Sequence, residues 1–486
     1  MTKICVAISE VDVASALAVA KDAITRGAES LEFRFDAMPV LPDDLTPFKE
    51  LPVRRIATLR EKDQGGFWEG NIEKKWEFLW RAAEADFDVD LEFGHPLIAR
   101  AHLLKPSRII VSYHDLKKTP STARVIETLV ECSARADMAK AAFTVRTMKD
   151  LDQVVEGAMW FGLSRERFTI IGMGELGTVT RVLAHNMGCT LAYASTGPGK
   201  ETAPGQLDLE TMKWLGKEPL VTGLVGYPVD HSISPSLHNA AFHAAGVRGI
   251  YLKWVALSDE LDEFLDVVDA LGVKGFNVTI PHKETIIPNL DRLDPVAEKI
   301  GAVNTVINEG GKLIGRNTDV IGVERTFEKN GVDINGKMAL VLGAGGASRS
   351  VCSFLASKGA EVDITNRTMG KAESLAKAFS GTTAVGRRVV EEKQYDIIVN
   401  CTPLGMKGFP QEMSISPHVL REGQFVMDTV YNPAVTPLLA EASRKGAVAV
   451  NGKDMLIYQA LASFELWTGK VAEYDVMERA FREALP

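Results

Sequence analysis

Met338-Ala339-Leu340-Val341-Leu342-Gly343-Ala344-Gly345-Gly346-Ala347-Ser348-Arg349 runs from an apolar stretch into a glycine turn, and a helical pattern follows over 348–358. A strand that feeds a glycine turn opening a helix is the setting a dinucleotide site needs. Gly345 and Gly346 would let backbone N–H groups approach a pyrophosphate at the helix N-terminus. Alone the motif is weak, and Ser348 stands where a third glycine is usual. The next strand-like run, 360–365, is followed by Asn366-Arg367-Thr368. An acidic residue in this region would read a ribose 2′-hydroxyl, whereas Arg367, about 20 residues past the glycines, suits the 2′-phosphate of NADP. The bland reading is a solvated arginine in a turn. The stretch predicts a Rossmann domain that takes NADP(H).

Upstream lies a second polar set. His231-Ser232-Ile233-Ser234-Pro235 spaces two hydroxyls by two residues, and Gly275-Phe276-Asn277-Val278-Thr279-Ile280-Pro281-His282-Lys283 ends a strand in a lysine. Asn304-Thr305 and Asn317-Thr318-Asp319 follow. Polar residues at strand ends are often only caps and turns. Beside a nicotinamide cofactor, a lysine and a carboxylate with hydroxyl and amide donors for a polyol suit carbonyl reduction. No metal site is expected, since His238 and His243 are not spaced with an acidic partner in register.

The first ~200 residues repeat. Strand-like runs cover 3–9, 30–36, 54–60, 88–93, 108–115, 138–145, 168–174 and 189–195, with amphipathic helical patterns between them, clearest at 14–26 and 122–136. Eight βα units predict a closed (β/α)8 TIM barrel; an open doubly wound sheet is the alternative. Catalytic groups of a barrel gather at the C-terminal ends of strands. Glu32 and Arg34 alternate on one strand face, Arg60 closes the third strand, His114 the fifth, and Lys140 lies in the sixth. Each alone could be structural, but a barrel interior rarely collects so many charges without a ligand. A lysine crowded by Arg34, Arg60 and Arg181 would lose its proton and attack a ketone as a Schiff-base nucleophile. A nearby histidine would remove the proton α to the iminium, and arginines would hold a carboxylate. That chemistry makes a dehydratase.

The whole chain has 486 residues, 46% hydrophobic and 24% charged, in keeping with a multi-domain globular α/β protein. Its 64 acidic residues outnumber 55 basic ones, for a net charge of −9, which argues against a nucleic-acid partner. No apolar run approaches the roughly 18 residues of a membrane span. Met1-Thr2-Lys3 leads directly into a strand pattern without a signal peptide, and the five scattered cysteines fit a reducing cytoplasm. Expected domains are 1–217 for the barrel, 218–320 completed by about 455–486 for an α/β substrate domain, and 321–454 for the Rossmann domain.

Two resemblances sharpen this reading. Glu32-Phe33-Arg34, Ser112-Tyr113-His114-Asp115, Ala136-Asp137-Met138-Ala139-Lys140, Gly172-Met173-Gly174 with Arg181, and Thr202-Ala203-Pro204-Gly205-Gln206 resemble type I 3-dehydroquinate dehydratase over about 1–212. The resemblance implies that Lys140 forms the imine with 3-dehydroquinate and His114 is general base and acid. Glu32, Arg34, Arg60, Arg181, Thr202 and Gln206 would bind substrate. Gln64 replaces a Glu that many members use to orient the histidine, and Thr202 keeps the hydroxyl of the usual Ser. From 220 to the C-terminus the His-Ser-x-Ser-Pro, Asn-Val-Thr-x-Pro-x-Lys, Asn-Thr-Asp and Gly-Ala-Gly-Gly-Ala motifs, with 452–459, resemble shikimate dehydrogenase. This implies Lys283 and Asp319 as the catalytic pair. Ser232, Ser234, Thr279, Asn304, Tyr431 and Gln459 would contact 3-dehydroshikimate or shikimate. Gly343, Ala344, Gly345, Gly346, Ala347, Asn366, Arg367, Thr368 and Gly452 would hold the cofactor. Val320 replaces a common Gly after the Asp. Together the resemblances imply a bifunctional enzyme; a quinate dehydrogenase in the second half, or a metabolite sensor without catalysis, are the rivals.

Overall fold

A computed structural model describes residues 2–104, 107–164 and 166–485, so Met1, which opens the expected signal-free start, lies outside the described residues. The chain divides into two compact units, Met1–Leu220 with Arg248–Val273, and Val221–Val247 with Lys274–Pro486.

In the first unit, eight strands alternate with helices: β1 Lys3–Ile8, β2 Ser30–Arg34, β3 Arg54–Thr58, β4 Asp88–Glu92, β5 Ile109–Asp115, β6 Met138–Thr144, β7 Phe168–Met173 and β8 Leu191–Ala194. Each neighbouring pair is parallel, in the order β7-β6-β5-β4-β3-β2-β1-β8. Between β7 and β8 the ladder gives way to a side chain: the Thr169 hydroxyl donates to the Leu191 carbonyl at 3.2 Å and accepts from its N–H at 3.0 Å. The barrel is therefore nearly closed. Its lumen is filled, with Cys5, Ile56, Ile110, Met138, Ala142, Ile171, Met173, Leu191 and Tyr193 packed as one cluster. The expected helices appear as Val13–Thr25, shifted by one residue from its pattern, and Thr122–Ser133, which ends three residues early.

This unit also takes in β10 Gly249–Val255 and the helix Leu261–Leu271. The helix packs on Met148–Gly162. The Met148 N–H donates to Glu260 at 3.2 Å, and Asn186 donates to the Leu271 carbonyl at 2.9 Å.

The second unit begins with β9 Leu220–Gly226. It continues with β11 Gly275–Val278, β12 Arg292–Leu293, β13 Thr305–Glu309 and β14 Lys312–Arg316. β11 runs parallel to β9 and antiparallel to β13. A six-stranded parallel sheet follows, from β15 Met338–Leu342, β16 Glu361–Thr365, β17 Thr382–Ala384, β18 Ile397–Asn400, β19 Phe425–Asp428 and β20 Val448–Val450. Its order, β17-β16-β15-β18-β19-β20, is the doubly wound 3-2-1-4-5-6 arrangement of a dinucleotide-binding domain, whose ligand crevice opens where the order reverses. Apolar clusters cover both faces of the sheet. Val320 packs against one of them, which accounts for a β-branched residue where a glycine is common. Among the described residues no helix is long and apolar enough to cross a membrane, and no group of His, Cys, Asp or Glu could hold a metal ion.

Candidate active sites

At the C-terminal mouth of the barrel, strand alternation delivers polar and charged side chains inward from five neighbouring strands, β2 to β6. Lys140 on β6 is almost wholly buried, 2.9 Å from Glu32 Oε1 and 3.5 Å from Asp90 Oδ2, with its ammonium 4.2 Å from the centre of the Tyr193 ring. Thr58 also donates to Glu32 at 2.8 Å. Arg60 donates to Ser112 Oγ at 2.6 Å and meets Asp90 Oδ1 at 2.9 Å. Ser112 in turn donates to Asp90 at 2.6 Å. The expected crowding of Lys140 by arginines is thus corrected: two carboxylates flank it, and Asp90 stands between it and Arg60. Glu32 and Arg34 do not pair with each other either. Arg34 forks onto Asp36 at 2.9 and 2.7 Å.

Electrostatics separate the groups by role. Burial, and then the positive charges of Arg60, Lys140 and Arg34, push His114 well below its ordinary pKa, so its ring is neutral. Burial alone would raise the Asp90 carboxyl, yet Arg60 and Lys140 hold it below the usual range. His114 Nδ1 is buried without a hydrogen-bond partner. Gln64 reaches the histidine through the backbone, accepting from the His114 N–H at 3.2 Å. Arg181 donates to the carbonyls of Gly172 and Pro204 at 2.8 and 3.2 Å, and burial lowers it to about 10. Its Nε is left unpartnered. Thr202 and Gln206 bond one another at 3.1 Å. Their turn is pressed onto the β7 loop, since a Cβ at Gly205 would lie 2.1 Å from the Gly174 oxygen. A neutral base, a buried amine between proton acceptors, and cations around both can run imine chemistry on an anionic ketone.

The second unit brings Lys283 and Asp319 together at 2.5 Å. Asn304 Nδ2 donates to the other Asp319 oxygen at 2.9 Å and to Gln459 Oε1 at 3.4 Å. Beneath them Asn277, Thr305, Thr318 and Ser463 form a buried network at 2.9–3.1 Å that fixes the start of the helix Asp319–Lys329. Ser232 donates to Ser234 at 3.3 Å, and the Ile233 backbone between them bonds the Tyr431 hydroxyl. Thr279 closes β11 beside the Gly226 turn; a Cβ at Gly226 would lie 2.4 Å from its methyl carbon.

Gly343, with φ +107°, turns the chain off β15 into the helix Gly346–Ser357, which starts two residues before the pattern placed it. Ser348 Oγ accepts from the Gly345 N–H at 3.3 Å, and a Cβ at Gly343 would sit 3.2 Å from that oxygen. Here the serine secures the turn. A Cβ at Gly345 would meet nothing within 4 Å, whereas one at Gly346 would strike the Lys283 stem at 2.8 Å. One side of the turn is open for a pyrophosphate and the other touches the lysine, so these residues fit a dinucleotide. Ala344 lies in that turn and Ala347 in the first turn of the helix. Asn366 donates to the Thr368 carbonyl at 2.9 Å, leaving Arg367 exposed at the end of β16. Gly452 lies against the turn after β19, where a Cβ would come within 2.0 Å of the Thr429 oxygen.

Residue-type reasoning missed Asp90, Glu92, Tyr193 and Ser463. The first two carried a signal: Asp88-Val89-Asp90-Leu91-Glu92 alternates acid and apolar with the period of a strand. Ser463 had none, lying in a helix far along the chain.

Comparison with known proteins follows the same division. The type I 3-dehydroquinase profile matches residues 4–215. Profiles for the shikimate dehydrogenase substrate binding domain, shikimate / quinate 5-dehydrogenase and the shikimate 5'-dehydrogenase C-terminal domain match 224–306, 324–413 and 452–480. A shikimate dehydrogenase (NADP(+)) of Moorella thermoacetica is 45% identical over 54% of this chain and 93% of its own length. A crystal structure of the Thermus thermophilus shikimate 5-dehydrogenase, in complex with NADP(H) and shikimate, superposes with a TM-score of 0.51 at 38% identity, covering 55% of this chain and all of that one. One relative spans both halves: the chloroplastic bifunctional 3-dehydroquinate dehydratase/shikimate dehydrogenase of Arabidopsis thaliana, 34% identical over 93% of this chain and 79% of that protein. With both halves matched in that order on one polypeptide, the chain belongs to the bifunctional 3-dehydroquinate dehydratase/shikimate dehydrogenase family.

Proposed function

We propose that the barrel dehydrates 3-dehydroquinate through an imine on Lys140 and that the second unit reduces the product, 3-dehydroshikimate, to shikimate with NADPH. In the first reaction Lys140 passes its proton to a flanking carboxylate and condenses with the ketone. Neutral His114 takes the proton α to the iminium and returns it to the departing hydroxyl as water. Arg34, Arg60 and Arg181 hold the carboxylate and hydroxyls, with Glu32, Thr202 and Gln206 completing the pocket. In the second, NADPH supplies the hydride when bound along Gly343–Ala347, with Asn366, Arg367 and Thr368 at its 2′-phosphate and Gly452 beside it. Lys283 delivers the proton to the substrate oxygen, and Asp319 holds that ammonium in place. Ser232, Ser234, Thr279, Asn304, Tyr431 and Gln459 bind the carboxylate and ring hydroxyls.

The observation that carries the reading is Lys140 buried beside a neutral His114. Sodium borohydride added with 3-dehydroquinate should trap the ligand on Lys140 as a stable amine, found by peptide mass, and abolish dehydration. Activity that survives this treatment refutes the imine. Oxidation of shikimate and quinate with NADP⁺, compared on one sample, decides between the two polyols. Both serines of the 231–235 motif favour shikimate. The reading assigns domains at 1–217, 218–320 with 455–486, and 321–454. It places the enzyme in the cytoplasm, on the strength of five unpaired cysteines; the Arabidopsis relative is chloroplastic, and cell fractionation tests the assignment.

A further inference from the structure

The helix Ile72–Glu84 starts at Asn71, whose side chain accepts from the Lys74 N–H at 2.8 Å. Its buried residues are Lys75, Phe78, Leu79, Ala82 and Ala83, the i, i+3, i+4, i+7, i+8 stripe of a core-facing helix. The first place in that stripe holds a lysine with no exposed surface. A fully buried ammonium persists only where charges compensate it.

Compensation comes from two directions. Lys75 Nζ lies 2.8 Å from Glu92 Oε2 on β4 and 2.8 Å from Glu61 Oε1 after β3. His95 Nε2, beyond β4, is 3.5 Å from the same Glu61 oxygen. The other Glu92 oxygen accepts the Glu61 N–H at 2.9 Å and lies 3.7 Å from Arg60 Nη1. Arg60 therefore stands between two buried carboxylates, Glu92 at 3.7 Å and Asp90 at 2.9 Å, and it favours Asp90. The distance of Arg60 from Glu92 is permitted because Lys75 already neutralises Glu92. Without that ammonium, Glu92 would be a buried, half-paired anion whose nearest remaining cation is Arg60.

We propose that Lys75 is a positioning residue of the dehydration site: by holding Glu92 it keeps the Arg60 guanidinium on Asp90 and Ser112, aimed at the substrate. This rests on the reading of Arg60 as a substrate-binding residue. Lys75 itself is separated from Lys140 by Glu92, Arg60 and Asp90, and touches no reacting atom. A consequence reaches His114, which faces Arg34 from β2, Arg60 from the end of β3 and Lys140 from β6. Drawing Arg60 toward Glu92 weakens one of the three positive charges that disfavour its protonation.

The test uses the full chain, with shikimate oxidation in the same sample and a thermal melt as controls. Lys75→Met should raise KM for 3-dehydroquinate about tenfold with kcat changed less than about threefold, the pattern of lost uniform binding. The acid limb of its kcat/KM profile should move up by roughly half a pH unit, because His114 regains basicity. Lys75→Arg should behave as the parent. Lys75→Met/Glu92→Gln removes the buried pair, leaves only the partly exposed Glu61 carboxylate beside His95, and should restore both KM and the limb. A folded Lys75→Met with parental KM and pH profile overturns the proposal. If that variant does not fold, the double variant carries the test alone: parental KM supports the role and a raised KM overturns it. Arg60→Ala separates the two levels. An unchanged KM there refutes the substrate reading of Arg60 and the proposal with it, whereas a raised KM upholds that reading and lets the Lys75 variants decide.

Discussion

In the proposed reduction two residues carry the proton transfer and the choice of cofactor. Hydride reaching a carbonyl carbon leaves negative charge on oxygen, and Lys283, 2.5 Å from Asp319, is the cation placed to meet it. That help exists chiefly in the transition state. Lys283→Ala should cut kcat for shikimate oxidation by at least about 10² while KM changes little, and dehydration should continue untouched. A change confined to KM would make Lys283 a binding residue. Arg367 is exposed just past β16, and in the proposed reading it meets the phosphate. Arg367→Ala should weaken NADPH binding by about 1.5–3 kcal/mol, the range of charge-assisted hydrogen bonds, and leave NADH unaffected; equal losses would show that Arg367 does not read the 2′-phosphate. At this scale the placement of polar groups was legible where residue type is diagnostic: Lys140 and His114 are buried at the barrel mouth, and Lys283 meets Asp319. It was not legible where the partner is an ordinary strand carboxylate. That Lys140 faces Glu32 and Asp90 rather than arginines depends on which side of Asp90 each cation falls, and no spacing along the chain encodes that.

Among the elements, strands were read closely and helix partners were not. The barrel strands stand out as short, almost wholly buried runs, because each strand must fill the lumen on one face and meet helices on the other. What a helix packs against is set by long-range contact, so the pairing of Leu261–Leu271 with Met148–Gly162 was invisible. It brings like charges together. Burial, then Asp266, Glu156 and Glu263, raise Asp152 to about 6, and Asp266 is raised as well. A carboxyl with a raised folded-state pKa ionises more readily in the unfolded chain. Stability therefore declines as pH climbs from the ordinary value of 3.8 to about 6 and stays lower above it. Asp152→Asn removes that penalty. Melting curves should show the variant more stable than the parent at pH 7.5, the gain shrinking toward pH 4. A gain independent of pH would mean that the helices do not feel this repulsion.

For the molecule as a whole, each set of site contacts is complete within one stretch of chain. The dehydration contacts run from Glu32 to Gln206 and the reduction contacts from Ser232 to Gln459. Residues 1–217 and 218–486, made as separate chains, should therefore dehydrate and reduce on their own. The pieces should not be equally stable. Arg248–Val273 belongs to the compact unit of the barrel, and cutting at 217 strips it of the Met148–Glu260 and Asn186–Leu271 hydrogen bonds, the Lys253–Glu175 ion pair at 3.2 Å and the packing of its helix. The ion pair is exposed at Glu175 and counts for little. The helix face matters more, because apolar surface covered in the intact chain becomes wet. In a piece of this size each kcal/mol lost lowers the melting temperature by about 2–4 °C. The 218–486 chain should melt below the corresponding transition of the intact protein, and adding the 1–217 chain in excess should raise it by mass action. If 218–486 melts with the intact protein and does not respond to its complement, Arg248–Val273 draws its stability from its own half, and the association with the barrel contributes nothing to it.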